Sequence, residues 1–202
     1  MTAVRSNPWL WMAMAFCASL GLAISILAFF GDEERGVRIA LHATARLAFL
    51  FFWPAYVGGA LTSLFGDFFL PMRRHARELG LAFAAALLVH LGLVVRLCAI
   101  GSPPSPETFG IFGLAAGFVY LLAILSVDRL RQALPGESWP ILRTVAMTYI
   151  AFAFILDFKR LPLSDFRQSV EYVPFAALSI VAPLLRLAVW AQILRHKLPI
   201  SM

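Results

Sequence analysis

The chain has 202 residues, of which 61% are hydrophobic and only 14% are charged, and its formal net charge is +6. Soluble domains are about 45–50% apolar and about 25% charged, and a chain of this size has too little interior to hide so much apolar surface from water. The composition therefore excludes a soluble globular protein and predicts an all-α integral membrane protein. At about 20 apolar residues per crossing, the chain holds at most about six or seven spans and no sizeable soluble domain.

Six apolar runs follow one another along the chain, and each is long enough to cross a bilayer as a helix. The second run is the longest and contains Pro54, Gly58 and Gly59, so we expect a kink or an unwound end there. We therefore predict a six-helix transmembrane bundle that forms a single domain over residues 1–202. The predicted helices cover residues 9–30, 39–65, 79–100, 109–126, 141–158 and 172–194.

Lysines and arginines in the short connections predict the orientation, because cytoplasmic loops carry an excess of these residues. The N-terminal side has the larger number, so we predict that both termini are cytoplasmic and that the protein lies in the inner, or plasma, membrane. These residues also predict contact with lipid headgroups and not with nucleic acid, since no nucleic-acid-binding module accompanies them. The N-terminal side carries Arg5, Arg73, Arg74, Arg77, Arg129, Arg131, Arg195 and Lys197, and the opposite side carries Arg35, Arg38, Lys159, Arg160 and Arg167.

Four charged side chains lie within the apolar runs or at their edges, where each costs a few kcal/mol unless it is paired. Arg46 and Arg96 lie toward the far halves of the second and third helices, and Asp157 lies at the far end of the fifth. Two interpretations stay open. In one, Asp157 pairs with either arginine while the other snorkels to the interface; in the other, these charges line a polar cavity or neutralise the propionates of a bound tetrapyrrole. Arg186 lies in the middle of the sixth helix, so we expect it to face the bundle.

Two histidines lie near these charges. His90 is near the middle of the third helix, where a histidine is either a hydrogen-bonded packing residue or an axial ligand of heme iron. His42 is near the far end of the second helix, one turn before Arg46 and on the same face. We predict no metal site apart from heme iron at His90, because Cys17 and Cys98 fall inside apolar runs on different helices.

The third helix resembles that of the ferric reductase-like transmembrane family, which includes ferric reductases, NADPH oxidases and the heme-bearing membrane subunit of bacterial methionine sulfoxide reductase. A basic edge, an R-x-L-G-like start and a mid-helix histidine recur in that family. Six spans in 202 residues, with no flavin domain attached, are most similar to the last of these proteins. The matching stretch is Arg73-Arg74-His75-Ala76-Arg77-Glu78-Leu79-Gly80-Leu81, followed by His90.

The resemblance implies a heme-dependent membrane oxidoreductase component that transfers electrons across the bilayer and works with a redox or membrane protein partner. It also implies heme b as cofactor and His90 as an axial ligand. Family members clamp each heme between histidines of two helices, but here Arg143 stands where the fifth helix carries its first ligand. Leu156 and Asp157 stand near the second such position. The resemblance leaves His42 as a substitute ligand and Arg46 and Arg96 as candidates for the propionates.

Two functions therefore stay open from the sequence. One is single-heme transmembrane electron transfer with His90 as the ligand. The other is a heme-less structural or assembly subunit of a membrane complex, in which phenylalanine and leucine fill the former heme cavity. A small transporter is the weakest alternative, because no inverted repeat or pair of matching broken helices is evident.

Overall fold

A computed structural model describes residues 7–127, 130, 132, 135, 136, 138–159 and 166–197. This part of the chain is helical and contains no strand. A single turn of 3-10 helix, Asp67–Phe69, connects the second helix to a short third one. The helices are α1 (Pro8–Phe30), α2 (Glu34–Phe65), α3 (Leu70–Arg74), α4 (Ala76–Ala99), α5 (Pro106–Leu125), α6 (Ser138–Phe158) and α7 (Phe166–Lys197).

Six helices are long and apolar enough to cross a membrane: α1, α2, α4, α5, α6 and the Tyr172–Arg195 part of α7. They confirm the predicted all-α bundle, and the chain is a multi-pass membrane protein. The side of the membrane on which the termini lie stays a prediction. We call the end of the bundle at which α1 begins and α2 ends the N-terminal end, and the end with the α1–α2 turn the opposite end.

The six spanning helices of the described chain each begin one to six residues earlier than the apolar pattern predicts, and in α2 and α5 polar groups stabilise the first turns. α2 begins at Glu34, whose carboxylate accepts from the Arg38 guanidinium one turn later, with a shortest distance of 2.7 Å. α5 begins at Pro106, and the Ser105 hydroxyl accepts from the Thr108 backbone N–H at 3.3 Å, as an N-cap does. Hydrophobicity alone does not detect such starts.

α2 ends at Phe65, as the apolar pattern predicts, but of the expected kink or unwound end it does not show the second. The helix continues without a break through Pro54 and the glycines to Phe65, so the unwound end is not observed. Gly58 has a packing role instead, because a Cβ atom there would lie 3.0 Å from the backbone carbon of Met72 and 3.1 Å from the nitrogen of Arg73. Glycine at this position therefore allows α3 to approach α2 closely.

The helices pack around α2 and α4, which contact each other and α1, while α7 packs on α2 and α6. Phenylalanines form the centre of this packing, and their contacting ring centroids lie 5.0–6.0 Å apart, a distance typical of favourable aromatic pairs. We call this group the aromatic core. It consists of Phe49 and Phe52 of α2, Phe83 of α4, Phe154 and Phe158 of α6, and Phe175 of α7.

Candidate functional site

His90 lies on α4 and faces α2, where it meets a residue that the sequence did not single out. The Nδ1 atom of His90 lies 3.1 Å from the hydroxyl oxygen of Thr44, which is fully buried. The Thr44 hydroxyl has a single hydrogen, and the carbonyl oxygens of Ala40 and Leu41 lie within its reach at 2.8 and 3.1 Å. Such a bond to the preceding turn is common for threonine in helices.

Either tautomer of a neutral His90 ring is compatible with this contact, because the ring nitrogen and the hydroxyl oxygen are located but the proton between them is not. In the tautomer in which the Thr44 hydrogen is directed at the backbone carbonyls, the donor is the Nδ1–H group of His90 and Nε2 carries the lone pair. A histidine that ligates a metal through Nε2 usually donates its other N–H in this way, but a buried packing histidine does the same.

His42 and Arg46 face α7, as their predicted common face requires. The His42 ring lies edge-on to Tyr172 with centroids 6.1 Å apart, and the Arg46 guanidinium lies 4.4 Å above the same ring. Positions 42 and 44 are about 200° apart around a helix, so His42 points toward α7 while Thr44 points toward His90. The structure therefore does not direct the two histidines at one shared ligand.

Arg96 lies at the opposite end of the bundle and is paired there. Its Nη2 atom lies 2.6 Å from Oδ2 of Asp32 in the α1–α2 turn, and the Ser102 hydroxyl donates to Glu34 at 2.8 Å nearby. The ion pair of Arg96 is thus with Asp32, so of the two partners that one interpretation allowed for Asp157, Arg46 or Arg96, Arg96 is paired elsewhere. We call these residues, together with Arg38, the paired end.

Two adjoining cavities open at the N-terminal end of the bundle, with volumes of about 260 and 620 Å³. They share several wall residues, and five arginines line them, so we call them together the arginine cavity. No acidic residue is among the described residues of their walls. Arg73 and Arg143 line both parts, Arg74 and Arg77 line the smaller part, and Arg186 lines the larger.

Three elements bring these arginines together. The close contact at Gly58 holds the α3 backbone, and with it Arg73, against α2. Arg143 lies about 7 Å along the axis from the start of α6, and Arg186 lies about 13 Å from the end of the span at Arg195, at a rise of 1.5 Å per residue. The Arg186 guanidinium lies 4.5 Å from the ring centroid of Tyr56, a core residue, which confirms that Arg186 faces the bundle.

The sequence identified Arg143 and Arg186 separately but did not predict that they share a cavity with Arg73 and Arg74. A signal was present. Arg73 and Arg74 are among the positive residues of the N-terminal side, and Arg143 and Arg186 lie in the halves of α6 and α7 that are nearer to that side.

The described residues do not form the two-histidine heme sites that the resemblance to the ferric reductase-like family implies. No histidine is among the described residues of the walls of the arginine cavity, and Arg143 lines the cavity where the resemblance implies the first α6 ligand. The aromatic core occupies the space between α2, α4 and α6. Among the described residues, no group of three or more histidine, cysteine or acidic side chains could hold a metal ion.

No protein-family model, curated protein or solved structure matches the chain. The resemblance to the ferric reductase-like family therefore stays a prediction that rests on the motif of α4.

Proposed function

We propose that this multi-pass membrane protein is a heme-less structural or assembly subunit of a membrane complex, with a bundle of the ferric reductase-like type. The aromatic core carries the proposal. Phe49, Phe52 and Phe158 are each 1% exposed, and they fill the centre of the bundle between α2, α4 and α6. Close packing of this kind leaves no slot for a planar macrocycle among these side chains.

Polar groups outside the aromatic core also support a structural role. His90 Nδ1 is hydrogen-bonded to the Thr44 hydroxyl, and the more exposed Arg96 is paired with Asp32. Each of these contacts connects two helices or a helix and a turn. A buried polar group such as the Thr44 hydroxyl, when it is satisfied within the chain, contributes to one defined packing arrangement and needs no cofactor.

The outer helices leave surface for other molecules. Only 11% of the residues in the apolar windows of α5 and α7 are buried, whereas half of those in α2 are. Large apolar side chains such as Leu114 and Leu184 are exposed on these two helices. Lipid covers such faces, and helices of a membrane partner pack on faces of the same kind.

The proposal is tested by purifying the chain in mild detergent from heme-replete cells. We expect no Soret band and one membrane protein that co-purifies at a fixed stoichiometry. We also expect that protein to decline in the membrane when the chain is deleted. A stoichiometric Soret band would contradict the proposal, and so would a chain that retains no partner and whose deletion changes no other membrane protein.

A second candidate is single-heme electron transfer, and one observation favours it. In the tautomer in which Nδ1–H donates to Thr44, Nε2 of His90 keeps its lone pair, and Nε2 is the atom that an axial histidine commonly uses. On this function, a Soret band accompanies the purified chain and disappears in His90→Ala. His42→Ala is the matched control, because His42 faces Tyr172 and not His90.

A further inference from the structure

The arginine cavity at the N-terminal end has no assigned role, and we propose that it binds a phosphate-bearing anion. The inference does not depend on whether the chain holds a heme, because no described histidine lines the cavity. The phosphate group belongs either to the headgroup of an anionic phospholipid or to a soluble phosphate ester.

The first argument is the charge balance of the cavity. Arg73, Arg74, Arg143 and Arg186 line its two adjoining parts, and no carboxylate is among the described residues of its walls. Like charges gathered in one cavity repel each other, and an arginine inside a membrane protein costs a few kcal/mol unless it meets an opposite charge or water. A bound anion removes both penalties.

The second argument is the depth of Arg186. The backbone of Arg186 lies about 13 Å from the end of its span, so its guanidinium lies below the lipid headgroups unless the cavity extends the polar region inward. The exposed Arg143, about 7 Å deep, can instead reach the headgroups by snorkelling. The Tyr56 ring, 4.5 Å from Arg186, provides a cation–π contact, which is worth about 0.5–2 kcal/mol. Pairing with an anion is stronger than that contact, and the N–H donors of the guanidinium remain available for such a ligand.

The third argument is the chemistry of the walls. Guanidinium groups bind phosphate oxygens through paired N–H donors, which makes arginine the preferred residue for phosphate recognition. The remaining walls are largely apolar and include Phe83, Met147 and Val189. A ligand with a phosphate group on an apolar body matches both surfaces, and a volume of about 620 Å³ accommodates a headgroup with part of its chains.

The experiment measures ligand binding to the full chain in neutral detergent by thermal shift and by native mass spectrometry. The ligands are phosphatidylglycerol, phosphatidylcholine, and inorganic pyrophosphate as the soluble phosphate probe. We expect phosphatidylglycerol to stabilise the chain and phosphatidylcholine not to do so. Stabilisation by pyrophosphate as well assigns the site to a soluble phosphate compound, whereas its absence assigns the site to lipid. Failure of both anions to bind overturns the proposal.

Variants locate the site. Arg143→Gln and, separately, Arg74→Gln are expected to weaken binding about tenfold, which corresponds to about 1.4 kcal/mol. Arg74 is exposed on a short helix, so this variant tests the cavity even if Arg143→Gln does not fold. Arg143→Lys retains the charge but loses the paired N–H donors, so we expect its binding to lie between that of the wild type and that of Arg143→Gln.

The matched control is Arg38→Gln, which removes one positive charge at the paired end. We expect it to leave the affinity unchanged. An equal loss of binding in Arg38→Gln and in the cavity variants would mean that the anion responds to net charge alone, and it would overturn the proposal. Unchanged binding in both Arg74→Gln and Arg143→Gln would do the same.

Discussion

The two ends of the bundle differ in whether carboxylates of the described chain accompany their arginines. At the paired end, Arg96 lies 2.6 Å from Asp32, and Arg38 lies 2.7 Å from Glu34. At the N-terminal end, the walls of the arginine cavity contain arginines but no described carboxylate. The same residue type therefore closes one end of the molecule through contacts within the chain and lines a cavity at the other.

This difference separates structural charges from candidate binding groups. An arginine that has its carboxylate within the chain connects a helix to a turn or stabilises a helix start. Arg73, Arg74, Arg143 and Arg186 line a cavity without a described carboxylate and retain donors for a ligand, whereas Arg77 donates to the Ser126 carbonyl. The aromatic core lies between the two ends, and Phe52 and Phe83 belong both to this core and to the wall of the cavity.

The largest expected effect concerns the aromatic core. We propose a ligand site only at the N-terminal end, so we expect the core to be rigid. Phe49→Ala removes a ring that is 1% exposed and contacts three others, so we expect a loss of about 3–5 kcal/mol in the free energy of unfolding. Phe152→Ala is the control, because Phe152 is 48% exposed on α6. Unfolding in detergent micelles measures both, and equal losses would contradict a packed core.

The next effect concerns the arginine cavity. Arg186→Met removes a charge whose insertion into the membrane near the middle of a helix costs about 2.5–3.5 kcal/mol. We expect the variant to be more stable than the wild type in phosphatidylcholine bicelles. The gain should shrink in phosphatidylglycerol bicelles, where the wild-type arginine has an anion available. A stability change that is the same in both lipids would contradict the difference between the two ends.

The sequence predicted the six spans well, because each span depends on a run of apolar residues that can be read locally. It also predicted that Arg186 faces the bundle, since a charge at that depth has few alternatives. The early start of α2 was missed, because it depends on a polar Glu34–Arg38 pair outside the apolar run. Local hydrophobicity carries no information on such a pair.

The candidate sites were predictable only in part, since both depend on contacts between distant segments. Nothing in the sequence pattern shows that Thr44 and His90, on different helices, lie 3.1 Å apart. The arginine cavity likewise depends on the close approach of Met72 to Gly58. The sequence pattern instead predicted a kink or an unwound end around Pro54, Gly58 and Gly59, because a glycine that permits packing and one that weakens a helix have the same local pattern.

A mid-sized effect is expected at His90. Thr44→Val keeps the shape of the side chain but removes the acceptor for Nδ1–H, which leaves a donor without its partner at a cost of about 1–3 kcal/mol. Thr144→Val is the control, because the exposed Thr144 hydroxyl only donates to Pro140 within its own helix. Unfolding measurements on Thr44→Val and Thr144→Val give the difference between their free energies of unfolding. In NMR spectra of the wild type, a proton on Nδ1 and none on Nε2 of the His90 ring would confirm this tautomer, and a proton on Nε2 alone would contradict it.

A smaller effect is expected at the α2–α3 contact, where neighbouring glycines provide a matched pair. Gly58→Ala places a methyl group against the backbone of Met72 and Arg73, so we expect a loss of about 1 kcal/mol and weaker phosphatidylglycerol binding. Gly59→Ala meets nothing within 4 Å and should gain up to about 1 kcal/mol from helix propensity. If both substitutions have the same effect, close approach does not position Arg73.

The smallest effect is expected at the paired end. Arg96→Gln breaks a 2.6 Å ion pair, but the side chains of Arg96 and Asp32 are 46% and 70% exposed. Exposed ion pairs contribute about 0–1 kcal/mol and are screened by salt, so we expect a loss below about 1 kcal/mol that disappears at high ionic strength. Measuring the free energy of unfolding of Arg96→Gln and of the wild type at low and high salt gives this loss. A larger, salt-independent loss would mean that Arg96 is held in a low-dielectric site, and the paired end would then resemble the arginine cavity in its electrostatics.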